Sequence, residues 1–136
     1  HAYMQRELSE KLPADSQIYL DKIYQFCKSE NSQLLLVNTI SPLVWTNARH
    51  SVIQAWCEEN GVKYVDYNQP ELLKKIAFDF SADLRDYGEH VNIHGSKKIC
   101  ENLGDYIQKN YALEDHRKDS SYQEWNALAQ DASEYD

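Results

Sequence analysis

The mostly apolar run QLLLVNTI, at residues 33–40, most constrains what this chain can fold into. A strand that is apolar along its whole length is typical of a parallel sheet with both faces covered. Ser41 and Pro42 end the run, and VKYVDYN at residues 62–68 predicts a second short strand. Because helical patterns separate the two strands, we expect parallel pairing with helices on both faces of the sheet.

Helical periodicity marks four further segments of the chain before residue 111. The apolar spacing predicts four helices, which begin at Asp15 or Ser16, at Thr46 or Asn47, at Pro70, and at His94 or Gly95. Residues 77–93 show no periodicity and predict a long loop. We therefore expect one α/β domain over residues 1–111 and a polar, acidic arm over 112–136. Two strands are few for a stable sheet, so we expect further strands from upstream or from a partner chain.

The charge balance limits the partners of the chain. Lys and Arg number 14 against 22 Asp and Glu, which gives a formal net charge of −8. A nucleic-acid interface needs clustered basic residues, and no basic spot is denser than a pair such as Lys97 and Lys98. This excludes nucleic acid as an expected partner and disfavours an anionic membrane surface.

Neither a membrane span nor a signal peptide is visible. No segment approaches the roughly 20 apolar residues of a span, and the first residues, HAYMQRELSEK, are polar and charged. Because the chain begins with His, we expect it to be a trimmed piece of a longer polypeptide.

The cysteines predict packing rather than chemistry. Cys27, Cys57 and Cys100 show no C-x-x-C spacing, so neither a zinc ribbon nor a redox motif is indicated. Each falls on the apolar side of a predicted helix, and we expect small buried hydrophobic residues.

The clearest chemical signal is DYGEHVNIHGSKK, residues 86–98. Asp86 stands four residues before His90 in the predicted loop, so the loop can fold the carboxylate onto one ring nitrogen. Hydrolases use a carboxylate in this way to make an imidazole a general base. Glu89 is a second possible partner. A surface loop with an ordinary capping histidine is the alternative.

Other polar residues near the strand ends give weaker signals. Asn38 is either an oxyanion donor or an ordinary strand-end residue. Trp45 either walls a pocket or packs in the core. His50 is expected on the solvent side of its helix. Ser41 is followed by proline and lacks the G-x-S-x-G or G-D-S surroundings of a nucleophile.

No metal or cofactor is expected. His90 and His94 have H-x-x-x-H spacing, but this spacing spans a loop and a helix start rather than one helix face.

Taken in order, these features resemble the C-terminal portion of the SGNH/GDSL hydrolase family, in particular its bacterial cell-surface members. The likeness runs from about Tyr19 to Trp125. DYGEHVNIHGSKKICENLGDYI and LEDHRKDSSYQEWN are its more specific strings, whereas YLDKIYQFCKSENSQLLLVNTISP, WTNARH and GVKYVDYN are generic. The resemblance implies a three-layer α/β/α, flavodoxin-like fold with a parallel sheet, whose N-terminal nucleophile strand is not found in this sequence.

The resemblance also implies residue roles. His90 would be the general base and Asp86 its orienting acid, although the family spacing is D-x-x-H and Tyr87 occupies the usual acidic place. Asn92 and Gly95 match the family's H-x-N-x-x-G continuation and would support the loop. The nucleophilic serine and the oxyanion Gly and Asn would all precede residue 1.

The implied reaction is hydrolysis or transfer of an acyl ester, such as O-acetyl on a carbohydrate or envelope polymer, outside the cytoplasmic membrane. Without its nucleophile we expect this chain alone to be inactive, and whether it is itself an enzyme stays open. One alternative is a non-catalytic glycan-binding module with a cleft lined by Trp45, Tyr87 and His90. Another is an interaction module whose open sheet edge pairs with the missing strands or with another copy.

Overall fold

The computed structural model describes residues 2–5, 11–88 and 90–133. The chain divides into two compact units, His1–Ile99 and Cys100–Asp136. None of the helices in the described ranges combines the length and the hydropathy of a membrane span.

The described part contains five α-helices and four strands. In chain order they are α1 (Ala14–Ser29), β1 (Leu35–Asn38), α2 (Asn47–Asn60), β2 (Lys63–Asp66), α3 (Pro70–Lys75), β3 (Leu84–Arg85), β4 (His90–Val91), α4 (Ile93–Asn110) and α5 (Gln123–Ser133). The four helices and the two longer strands predicted from the sequence are all present. The prediction of a mixed α/β structure is therefore confirmed.

The first unit is built on a parallel pair of strands. β1 and β2 are joined through α2 and pair in parallel, with Asn38 opposite Asp66 at their carboxyl ends. The helix between them has clear ends, because the Thr46 hydroxyl accepts from the Arg49 backbone N–H at its start. Gly61 ends it in the left-handed conformation, at φ 65°. This short crossover brings the last residues of both strands to one edge.

The core lies around β2 and the residues that follow it. Tyr67 and Asn68 are completely buried directly after the strand. The Tyr67 hydroxyl donates to the Ile99 carbonyl oxygen over 3.3 Å, which ties this segment to the first part of α4.

α1 packs on α2 through polar contacts. The Trp56 indole N–H donates to Asp21 over 2.8 Å, and the Tyr24 hydroxyl donates to the Asn60 carbonyl oxygen over 2.9 Å. The rings of Tyr24 and Trp56 meet edge to face.

α1 nevertheless buries none of its residues. Four of its large apolar side chains are about half exposed or more: Ile18, Tyr19, Ile23 and Phe26. Val37 of β1 is also exposed, and β1 pairs with β2 alone among the described strands. The sheet is therefore open on the β1 side within the part of the chain that the structure describes.

The prediction that residues 77–93 form one long loop is wrong in its second half, which contains two short strands. β3 and β4 pair antiparallel there, with Leu84 opposite Val91 and Arg85 opposite His90. Two-residue strands are too short to produce an alternating pattern, which is why the sequence gave no sign of them. The turn between them holds Asp86 and Tyr87 at positive φ, 52° and 57°, and Glu89 lies outside the described residues.

The expectation that all three cysteines are buried holds for Cys57 only. Cys27 is half-buried and Cys100 is exposed, and all three are free thiols. Cys100 follows the buried Ile99 in α4. Successive residues of a helix differ by about 100° in direction, so the next side chain turns away from the core.

Residues 112–136, predicted as a polar arm, carry α5 within the described range. The ring of His116 stacks on that of Tyr122 at 4.3 Å between centroids. The boundary between the two compact units falls inside α4, after Ile99.

The close approach of α4 to the preceding segment gives a stability prediction. A Cβ at Gly95 would lie 2.5 Å from the Asp83 carbonyl oxygen and 3.1 Å from the Phe78 ring. Asp83 is held in place, since its carboxylate accepts from Lys98 Nζ over 2.6 Å and from the Asp79 N–H over 2.7 Å. We expect Gly95→Ala to lower the free energy of unfolding by about 1–3 kcal/mol, measured by urea denaturation.

Gly104, in the same helix, is the matched control because nothing lies within 4 Å of its added Cβ. Gly104→Ala should raise the free energy of unfolding by about 0.5–1 kcal/mol, through helix propensity alone. Equal effects of the two substitutions would show that the Gly95 contact is not tight.

Candidate functional site

The β3–β4 hairpin brings the acid and the histidine singled out in the sequence into contact. Asp86 Oδ2 and His90 Nδ1 lie 3.1 Å apart, within hydrogen-bonding distance. His90 stands at the start of β4, and the tight turn reverses the chain so that the two side chains meet across four residues. The imidazole thus has one nitrogen on a carboxylate, which leaves Nε2 for other chemistry.

This pair is exposed. The Asp86 side chain is 54% accessible and that of His90 is 61% accessible. Arg85 Nε also lies 3.5 Å from Asp86 Oδ2, so the carboxylate is shared between two cationic or hydrogen-bonding partners. In solvent such contacts are screened and contribute little to stability. The two side chains of the exposed pair are therefore in contact, but the contact is not held rigidly.

Asn92 fastens the hairpin to the start of α4. Its side-chain oxygen accepts from the Gly95 N–H over 3.1 Å, which caps the helix. Its amide nitrogen donates to the Ala82 carbonyl oxygen over 2.6 Å. Its backbone N–H donates to the Asp83 carbonyl oxygen over 2.9 Å. Gly95 allows the close approach described above, so both residues support the segment that carries His90.

A second carboxylate–histidine pair, which is buried, lies at the carboxyl ends of β1 and β2. The side chain of Asp66 is 1% exposed, and its Oδ2 lies 2.7 Å from His50 Nδ1. The same oxygen accepts from the Trp45 indole N–H over 2.9 Å. The Asn38 amide donates to Oδ1 over 3.2 Å.

The turn after β2 completes the set of donors around this carboxylate. Asp66 Oδ1 accepts from the backbone N–H of Asn68 over 2.9 Å and from its side-chain amide over 2.8 Å. The Gln69 amide donates to Oδ2 over 3.3 Å. Burial alone raises the pKa of Asp66, but the hydrogen bonds from Asn68, Trp45 and His50 outweigh it and lower the pKa. Asp66 is therefore an ionised carboxylate inside the protein.

Sequence reasoning missed this pair. The solvent-facing position expected for His50 holds only in part, because its imidazole is 23% exposed and its Nδ1 contacts Asp66. Asn38 acts as a donor to the same carboxylate. The sequence signal that could have found this site was the position of Asn38 and Asp66 at the ends of two predicted parallel strands, since such residues meet at one edge of the sheet.

Trp45 and Tyr87, both expected as pocket residues, line two different cavities. Trp45 lines one of about 230 Å³ together with Arg49 and Ile53. Tyr87 lines one of about 400 Å³ together with Asp86 and Phe80. The ring of Tyr87 is fully exposed at the rim of its cavity.

Among residues 2–5, 11–88 and 90–133, no three His, Cys, Asp or Glu side chains are grouped so as to hold a metal ion. His94 lies exposed in the first turn of α4.

No family model, curated protein or solved structure matches this chain. The likeness to SGNH/GDSL hydrolases therefore depends on the residues of the chain itself.

The buried carboxylate gives a prediction for Asp66→Asn. The substitution turns an accepting oxygen into an NH₂ group that faces N–H donors. We expect the free energy of unfolding at pH 7 to fall by about 3 kcal/mol, measured by chemical denaturation. The exposed Asp105 is the control, and Asp105→Asn should stay within about 0.5 kcal/mol of the unsubstituted protein.

The same carboxylate makes stability depend on pH with a defined sign. Since folding lowers the pKa of Asp66, its contribution is complete above the ordinary carboxyl pKa of about 3.9. It is lost as the pH falls below that value through the folded pKa. The unsubstituted protein should therefore lose stability more steeply than Asp66→Asn below pH 4 or so. Parallel curves for the two proteins would contradict this role.

The turn that carries Asp86 gives a further prediction. Tyr87 has φ 57° and is fully exposed, so its side chain adds left-handed strain with no compensating contact from burial. We expect Tyr87→Gly to be more stable than Tyr87→Ala by roughly 1 kcal/mol, because only glycine removes the Cβ clash. Thermal and urea unfolding of the two variants would measure this, and an alanine variant of equal or greater stability would count against strain here.

Proposed function

We propose that this chain is the histidine-bearing part of a serine esterase of the SGNH/GDSL type. His90 is the general base, and Asp86 orients it. The observation that carries the proposal is the 3.1 Å contact between Asp86 Oδ2 and His90 Nδ1, in the segment whose sequence resembles the family's Asp/His block. A carboxylate on Nδ1 selects the tautomer whose Nε2 can take a proton from a serine hydroxyl.

The reaction would run as acyl transfer. A serine Oγ attacks the acyl carbonyl while His90 Nε2 accepts its proton, and the imidazolium then returns that proton to the departing alkoxide. Asp86 stabilises the imidazolium between the two steps. The exposure of both side chains supports a site that is completed by further protein or by substrate, because an open pair is poorly shielded from water.

The nucleophile would come from a strand outside these 136 residues that pairs with the open edge of β1. Two observations support this. β1, like β2, has a single neighbour among the described strands, so its outer edge can accept another strand. α1, the helix before it, carries exposed apolar residues such as Ile23 and Phe26 although it packs on α2. In a parallel sheet a helix in that position covers the adjoining strand, so a strand beside β1 would bury both.

The substrate class rests on the resemblance. An O-acetyl ester of a carbohydrate or envelope polymer, at the cell surface, is the substrate that the family likeness suggests. The alternative of a non-catalytic glycan-binding module needs Trp45, Tyr87 and His90 around one cleft. Trp45 and Tyr87 line different cavities, so the geometry favours the esterase.

The test begins with an active-site label. A fluorophosphonate should leave the intact mass of this 15.9 kDa chain unchanged, because the nucleophile lies elsewhere. In a polypeptide that also carries the serine segment, the label should add to that segment. His90→Ala should then lower kcat/KM for an acetyl ester by roughly 10²–10⁴-fold.

His94→Ala is the matched control, since His94 is an exposed histidine of the same segment, and it should leave kcat/KM near the unsubstituted value. An adduct on one of the present 136 residues would overturn the external nucleophile. Full activity in His90→Ala would overturn its role as the base.

A further inference from the structure

The donors around Asp66 determine where the proton of His50 lies. An ionised carboxylate can only accept hydrogen bonds, and Asp66 is ionised because its pKa is lowered. The 2.7 Å contact between Asp66 Oδ2 and His50 Nδ1 therefore requires the proton on Nδ1. In the neutral imidazole Nε2 then carries a lone pair.

That lone pair has no partner within the described ranges of the chain. Within those ranges the imidazole forms its hydrogen bond through Nδ1, and its ring face stacks on Tyr64 at 5.5 Å and 28°. Burial, and then the charge of Asp66, raises the pKa of Tyr64, so its phenol stays protonated. The ring is thus oriented by a carboxylate on one side and a neutral aromatic face on the other.

The ring also reaches solvent. Asp66 is almost completely buried while the His50 side chain is 23% exposed. Among the described residues, the buried side-chain polar atoms without a hydrogen-bond partner are the hydroxyls of Tyr64 and Tyr111, so the unpartnered Nε2 of His50 belongs to the accessible part of the ring. This is the arrangement of an oriented general base, with one nitrogen fixed by a buried acid and the other presented outward.

We propose that His50 and Asp66 form a second proton-accepting site, distinct from the Asp86–His90 pair, which activates a small hydroxyl nucleophile such as water. His50 Nε2 takes the proton as the hydroxyl oxygen attacks an acyl carbonyl, and the imidazolium releases that proton to solvent after the leaving group departs with the bonding electrons. Asp66 stabilises the imidazolium. Trp45 and Asn38 are positioning residues, since they act on Asp66 rather than on the reactants.

The site differs from the exposed pair in how firmly its acid is held. The acid of the buried pair is held by six hydrogen bonds, from Trp45, His50, Asn38, Gln69 and twice from Asn68. Asp86 is half exposed and shared with Arg85. Preorganisation of this kind lowers the cost of forming an imidazolium.

The test uses p-nitrophenyl acetate, an activated ester that needs neither a serine nor an oxyanion hole. The intact chain should release nitrophenolate faster than an equal concentration of free imidazole. His50→Gln should lower the protein-dependent rate at least about tenfold, against the roughly 10²–10⁴-fold that positioned general bases supply in enzymes. His94→Gln, at an exposed histidine in neither pair, should leave it unchanged.

A measurement on the unsubstituted protein tests the proposal even if the His50→Gln variant does not fold. At a pH where the His50 ring is neutral, its ¹⁵N shifts in the unsubstituted protein should show the Nδ1–H tautomer. The Nε2–H tautomer, or a His50→Gln variant that is folded by circular dichroism and keeps the full rate, would overturn the proposal.

The p-nitrophenyl acetate test distinguishes failure of the second site from failure of the proposed esterase function. Loss of the p-nitrophenyl acetate rate in His90→Gln with retention in His50→Gln would overturn the second site and assign the rate to the exposed pair. Loss in His50→Gln alone supports the second site, whatever the serine segment later shows.

Discussion

The carboxylate of Asp66 is the interaction on which the first unit depends. It ends β2, where the strand leaves the sheet, and it is almost completely buried with its charge retained. Its six hydrogen bonds come from the end of β1 through Asn38, from the segment before α2 through Trp45, from α2 through His50, and from the turn after β2 through Asn68 and Gln69. A buried charge is tolerated only when such partners surround it, so these segments are held in register together.

The two carboxylate–histidine pairs contain the same chemical groups, but their environments give them different properties. Asp86 and His90 meet across a strained turn in solvent, where their contact is weak and easily rearranged. Asp66 and His50 meet inside the fold, where the acid is fixed from every side. Sequence spacing made the first pair visible, because its members lie in one short segment. The second pair joins a helix to a strand end and becomes a pair only after the parallel crossover has formed.

The open side of β1 is the main incompleteness of the described structure. A parallel sheet normally has both faces covered and more than two strands. Here α1 buries no residue and presents Ile23 and Phe26 outward although it contacts α2. The exposed apolar face and the single-neighbour strand occur in the same part of the chain. One additional strand with its covering helix would resolve both, which is why the nucleophile of the proposed esterase is placed there.

The sequence by itself determined four of the five helices in the described ranges, the two parallel strands and the segment that holds Asp86 and His90, because apolar periodicity and local spacing are properties of short stretches of chain. It did not determine the β3–β4 pair, whose strands are too short for a period, nor the exposure of Cys100. Only the tertiary structure decided that His50 faces a buried carboxylate and that Trp45 and Tyr87 line different cavities. Those relations join residues that are distant in sequence, and they depend on how elements pack rather than on what each element is.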